Sequence, residues 1–328
     1  MSELRTLLAD TTTKVLEGIK DTSLDAAWKQ IAETGLANVL VSEDDGGFGG
    51  NWEDALVVIR ACGHFAVPAP LPEAILATHL AKTAKLALPD GIVTVSPNAT
   101  GKLNGDRFTG ELKSVPWGRT ASHVLAVIDG QTILASKSDA KIEQHENPAA
   151  EPRDALRFEN AKVEKGAGES DALSALALLR TGQIAGALDH ALELSVGYTR
   201  ERKQFGRPLA QFQAIQQQLA VLAEETAAAG MAAAAAFRAM DRGDADFEIA
   251  AAKLRANRAA RTSTGIAHQV HGAMGFTAEY SLHHLTRRLW AWQTEAGNER
   301  FWGERLGTRV AARGASAFWP DLVARSEA

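Results

Sequence analysis

Groups able to hold a phosphorylated ligand are concentrated in two places. The run Arg200-Glu-Arg-Lys-Gln-Phe-Gly-Arg-Pro-Leu209 clusters cations around a Phe-Gly turn. A basic cluster of this kind can bind a phosphorylated cofactor through charge-assisted hydrogen bonds. The stretch Gln269-Val-His-Gly-Ala-Met-Gly-Phe276 carries Gly272 and Gly275, which suit a loop where backbone approaches a ligand too closely for a Cβ. His268, His271, His283 and His284 lack a matching carboxylate pattern, so no metal site is expected. No Gly-x-Gly-x-x-Gly opens a strand-to-helix turn, which disfavours a Rossmann-type dinucleotide site. Trp290, Trp292 and Trp302 are closely spaced and read as helix packing or a subunit contact.

These groups need a scaffold, and the chain is long enough to build one. It has 328 residues, 45% of them hydrophobic, enough for two or three domains. A formal charge of -5 argues against nucleic acid as a general partner. Cys62 is the single cysteine, which excludes an intrachain disulfide and a cysteine-based zinc site. The amphipathic, acid-bearing start lacks the apolar core of a signal peptide, and no stretch reads as uninterrupted enough to span a bilayer. A reducing cytoplasm is the default.

Hydrophobic periodicity divides the chain into an N-terminal helical domain (1–88), a middle β domain (89–165) and a C-terminal helical bundle (166–328), with helical periodicity resuming at Ser170. In the first part Leu4, Leu7, Leu8, Val15 and Ile19 predict one helix face, and a second helix covers Leu24 to Thr34. Asn51 is the expected N-cap of a helix carrying Ala55, Val58, Ile59 and Cys62. Asp129-Gly130 between two apolar runs predicts a hairpin. In the last part Phe212, Ile215, Leu219 and Leu222 form an apolar stripe, and the alanines from Ala227 to Ala236 invite close helix packing.

Three segments in order resemble the acyl-CoA dehydrogenase family: Arg200–Leu209 with Phe212-Gln213, the loop Gln269–Phe276, and the strand Glu151-Pro-Arg-Asp-Ala-Leu-Arg-Phe-Glu-Asn-Ala-Lys-Val163. The resemblance implies a mainly α fold with a small β-barrel-like domain and a C-terminal four-helix bundle. It also implies FAD, with Arg202 clamping the pyrophosphate and Phe205, Gln213, Gln269, Gly272 and Ala273 around the cofactor, in that family across a subunit interface. Ala273 stands where a second glycine is expected and is tolerated if its φ is negative. Trp117, in Val115-Pro-Trp-Gly-Arg119, is the candidate for the flavin edge or else is core. Arg287-Arg288 is a surface pair or a phosphate contact.

By the same resemblance the reaction removes an α-proton to a carboxylate while hydride leaves Cβ for the flavin, with electrons passing to an electron-transfer flavoprotein. The general base is expected after the glycine loop. Counting straight from Gly275 puts Ala296 there with Gly297 after it; a one-residue shift puts Glu295 there, and Glu299 is a third choice that begins the next helix. Glu295 is the candidate base. The alternative is a non-catalytic subunit that completes a shared FAD site in a heteromer, as fits the short length and resemblance to chains acting on bulky, steroid-derived acyl-CoAs. A third option is other flavin chemistry on the same fold, with oxygen as oxidant.

Overall fold

The computed structural model describes residues 3–19, 22–168 and 171–327, so Ser170 lies outside the described residues. Helix α1 (Glu3–Gly18) and α2 (Leu24–Thr34) open the chain. The buried face of α1 runs through Leu8, Thr12 and Leu16, while Leu7 is exposed. The expected stripe was therefore rotated, because a buried threonine at the i+4 position of Leu8 carries the face onward. Ser23 caps α2. Asn51 caps α3 (Trp52–His64) in a reciprocal capping box with Asp54, and Ala55, Val58, Ile59 and Cys62 are buried as the spacing predicts. Helix α4 (Leu71–Ala84) is buried along most of its length and leads into the sheet.

The middle region is one curled sheet of strands β1 (Val93–Val95), β2 (Asn98–Asn104), β3 (Arg107–Pro116), β4 (His123–Ile128), β5 (Gln131–Ser136), β6 (Ala140–Glu143) and β7 (Arg153–Ala167). Its order is β1-β4-β5-β7-β3-β2, with β6 also on β7; only β1 and β4 pair in parallel. The long β7 organises it. The first half of β7 pairs with β3 and β6 and the second half with β5, so it turns the sheet upon itself around Phe108, Leu112, Leu156 and Phe158. Asp129 and Gly130 both take positive φ, 48° and 73°, the geometry of a tight two-residue hairpin.

The last region holds α5 (Ala172–Glu201), a short hairpin of β8 (Lys203–Gln204) and β9 (Arg207–Pro208), α6 (Gln213–Arg242), α7 (Asp246–His271), α8 (Leu282–Trp292), α9 (Glu299–Arg313) and α10 (Ala315–Glu327). Helices α5, α6 and α7 pack on one another, α8 lies against α5 and α7, and α9 against α7. The N-terminal region joins this bundle where α3 crosses α5. There a Cβ on Gly186 would fall 1.9 Å from the carbonyl oxygen of Arg60, so the backbones meet through glycine. On α6 the predicted stripe is only partly covered: Leu222 is buried, whereas Phe212, Ile215 and Leu219 are half-buried. Among the described residues α6 is also the one helix long and apolar enough to cross a membrane by length and composition, although Glu224 and Glu225 interrupt it. Its apolar character comes largely from alanine, and it packs against α5 and α7.

Candidate active site

The bundle and the sheet enclose a cavity of about 790 Å³, walled by Pro116, Asn147 and Arg153 on the sheet side and by Arg180, Glu295 and Ala296 on the bundle side. Glu295 lies in the segment 293–298 that joins α8 to α9. Its Oε1 accepts from Arg153 Nε at 2.8 Å and from Asn147 Nδ2 at 2.8 Å. Its Oε2 accepts from Arg180 Nε at 2.8 Å and from Arg153 Nη2 at 3.1 Å. Beyond these, Arg180 Nη2 reaches Glu73 of α4 at 2.8 Å, Arg153 Nη2 reaches Glu151 at 3.0 Å, and Arg288 Nε of α8 reaches Glu151 at 2.8 Å. The result is an alternating chain, Arg288–Glu151–Arg153–Glu295–Arg180–Glu73, whose charges cancel and which ties all three regions together. Buried charges persist only when paired and hydrogen-bonded in this way.

That setting decides the protonation of Glu295. Burial pushes its carboxyl up, but the charges of Arg153 and Arg180, with hydrogen bonds from Arg153 and Asn147, outweigh it and hold the group down at about 2. Burial likewise works against the charge of Arg180, and Glu73 and Glu295 more than restore it. A carboxylate whose oxygens each accept two hydrogen bonds and which stays ionised at neutral pH is not presented as a general base, for which a raised pKa is wanted.

The neighbouring residues fix the register of the segment. Gly297 has φ 96°, and a Cβ there would lie 2.5 Å from Trp302 Nε1, so the position demands glycine. Trp302 Nε1 donates to the Ala296 carbonyl at 2.9 Å. Ala296, without a titratable group, lies directly before the required glycine, and Glu295 before that. Glu299 begins α9 and pairs with Arg258 at 2.8 Å and Arg261 at 3.2 Å, away from the cavity wall.

The cofactor candidates gather elsewhere. Arg202 ends α5, and Phe205, 92% exposed with φ 52°, tips the β8–β9 hairpin. Gln213 begins α6, while Gln269 and Gly272 end α7. Tyr198 of α5 stacks on His271 of α7 at 4.6 Å, and His271 Nε2 lies 3.2 Å from the Tyr280 hydroxyl, which brings these termini to one end of the bundle. All six candidates there, Ala273 included, are exposed. Among the described residues the side chains of Arg202, Gln213 and Gln269 have no hydrogen-bond or ionic partner. Gly272 has φ 59° and nothing within 4 Å of where a Cβ would stand, while Ala273 avoids positive φ. An open glycine cradle beside uncommitted guanidinium and amide donors fits a pyrophosphate-bearing cofactor. Trp117 is not with them: it is buried in the turn after β3 with φ 58°, and its neighbour Pro116 forms the cavity wall.

Residues 166–310 match the acyl-CoA dehydrogenase C-terminal domain family. Acyl-CoA dehydrogenase IpdE2 of Mycobacterium tuberculosis is 30% identical over 267 residues, 80% of each chain. The chain belongs to the acyl-CoA dehydrogenase family. IpdE2 of Mycolicibacterium smegmatis is 28% identical, covering 86% of this chain and 91% of that one. Among solved structures, a variant of the Tcur3481–Tcur3483 steroid acyl-CoA dehydrogenase superposes with a TM-score of 0.86 at 22% identity, over 95% of this chain and 98% of that one. The ChsE4–ChsE5 complex from Mycobacterium tuberculosis does so with a TM-score of 0.86 at 21% identity, with the same coverage. As an acyl-CoA dehydrogenase the chain is an oxidoreductase whose cofactor is FAD.

The partners of Glu295 were missed in the sequence. Arg180 follows directly on the apolar run Leu173–Leu179, and Arg153 sits inside the β7 motif, but no local pattern announces a pairing across the fold. Arg288, expected with Arg287 as a surface pair or a phosphate contact, is buried on Glu151; only Arg287 is exposed, donating to the Pro148 carbonyl at 2.7 Å.

Proposed function

We propose that this acyl-CoA dehydrogenase oxidises the α,β bond of a bulky, steroid-derived acyl-CoA to the trans-2-enoyl-CoA as one subunit of a heteromer, passing electrons to an electron-transfer flavoprotein. Within it, this chain's share is the half of an FAD site built by Arg202, Phe205, Gln213, Gln269, Gly272 and Ala273. The observation that carries this is separation. Arg180 in the cleft and Arg202 at the bundle end lie on one helix, and at 1.5 Å per residue they stand about 33 Å apart. FAD held by Arg202 therefore presents its flavin to another chain's cleft, and this chain's own cleft faces a different cofactor or none.

Bound FAD supplies the hydride acceptor for the substrate Cβ. The protein's part is to hold the cofactor by charge-assisted donors at an exposed bundle end and to exclude water by docking a partner over it. The α-proton goes to a carboxylate of the partner subunit, since this chain has Ala296 at the glycine-flanked position and an ion-paired Glu295 beside it. Two relatives fit the division: the steroid acyl-CoA dehydrogenase Tcur3481–Tcur3483 and the ChsE4–ChsE5 complex each carry two chain names.

The test is the visible spectrum of the chain alone and together with an unlike acyl-CoA dehydrogenase subunit. Expected are a colourless chain alone, a single FAD for each unlike pair, and bleaching by a steroid-derived acyl-CoA. A lone chain that purifies yellow, with one FAD per chain that the thioester bleaches, would overturn the proposal. It would favour the second reading, a self-sufficient dehydrogenase with Glu295 as base, whose support is that Glu295 lines the cavity.

A further inference from the structure

The segment 293–298 carries Glu295 into the cleft, and a lysine that takes no part in the site described above holds its backbone. Lys253 of α7 is fully buried. Its Nζ donates to Asn257 Oδ1 at 2.6 Å, to the Trp292 carbonyl at 2.9 Å and to the Gly297 carbonyl at 3.2 Å. Asn257 Nδ2 adds a second hydrogen bond to the Gly297 carbonyl at 3.3 Å. The two carbonyls belong to the end of α8 and to the turn after it, where the helix supplies no donor. Each hydrogen of an ammonium thus meets one oxygen, with none left over. Burial pushes the Lys253 ammonium down to about 7, and of the charged groups facing it Glu295 of the segment favours the charge while Arg180 of α5 opposes it.

We propose that Lys253 is a positioning residue for this acyl-CoA dehydrogenase: from beneath, its ammonium pins the two ends of the segment 293–298, and so sets where Glu295 meets Arg153 and Arg180 and where Ala296 borders the cleft. Lys253 touches no reacting group; it acts through the backbone carbonyls of Trp292 and Gly297. The assignment concerns how the segment is held, and it stands whichever subunit supplies the base.

Hydrogen exchange in the full chain tests it at the amides of Thr294 and Glu295, which bond the Ala291 carbonyl at 3.1 and 3.2 Å. Lys253→Met fills the space but offers no donor. It is expected to speed exchange at these amides about tenfold or more, with the sheet strands unchanged. Lys253→Gln restores two donors and is expected to recover part of the protection, which a mere packing role would not produce. Unchanged exchange in Lys253→Met, or no recovery in Lys253→Gln, overturns the proposal. Should Lys253→Met fail to fold, Asn257→Leu removes one oxygen from the ammonium and one donor from Gly297. Faster exchange at Thr294 and Glu295 then supports the assignment, and unchanged exchange overturns it.

Discussion

Glu295→Gln keeps the shape of the side chain and removes the charge between Arg153 and Arg180. The carboxyl falls from an ordinary value of 4.5 to about 2 in the folded protein. At about 1.4 kcal/mol per pH unit, ionisation in the native state is favoured by about 3 kcal/mol. Removing one partner of a buried pair costs about 3–5 kcal/mol by general experience, so the two routes agree. The sign of the pH dependence follows from the depressed folded value. The stabilisation is complete above about pH 4.5 and is lost as pH falls through about 2. Urea unfolding of the two proteins should therefore differ by about 3 kcal/mol at pH 6 and by about 1.5 kcal/mol at pH 3. A difference below about 1 kcal/mol at pH 6, or one that does not narrow at pH 3, would refute the ion-paired state. The same variant speaks to catalysis. In the assembled enzyme an anchoring Glu295 leaves turnover within about tenfold, whereas loss of a general base costs about a hundredfold or more.

Other outcomes follow from the same geometry. Arg202→Ala, at an exposed helix end, should change the chain's stability by less than about 0.5 kcal/mol yet weaken FAD retention by the assembled enzyme at least about tenfold, read by ultrafiltration and flavin absorbance. Gly297→Ala forces positive φ on a residue with a Cβ and drives it into Trp302; a loss of about 1–3 kcal/mol is expected in thermal unfolding. Gly186→Ala would separate α3 from α5, and its effect on the melting temperature should exceed that of Gly272→Ala, where the space is open.

What was legible in the sequence was local or ordered along the chain. The Asn51 N-cap, the Asp129-Gly130 hairpin and the helical–β–helical order each depend on neighbours within a few residues. The motifs that point to FAD are equally local, since a turn and two helix termini make them. The ion-pair chain was not legible for the opposite reason. Glu295 and its partners Arg153 and Arg180 are far apart in sequence, and nothing near Glu295 distinguishes a carboxylate held between two guanidiniums from one left free to take a proton. Environment sets that difference. Leu7 and the α6 stripe failed for a related reason: periodicity finds an apolar face but not whether the chain itself covers it.

The two ends of α5 then carry opposite messages. At Arg180 every guanidinium nitrogen has an acceptor, in Glu295, Gln183 and Glu73, and the cleft is closed on itself electrostatically. At Arg202 the guanidinium has no ionic partner among the described residues, and Phe205, Met274 and Phe276 stand exposed nearby. A cleft whose buried charges alternate and cancel in this way has little electrostatic need of a ligand there, although one oxygen of Glu73 is left without a hydrogen-bond donor. Exposed aromatic groups beside uncommitted donors at the other end are what an interface with a bound cofactor would cover. On the proposed division of labour, the ion-paired cleft and the uncommitted bundle end are two consequences of one helix, with about 33 Å between its two arginines.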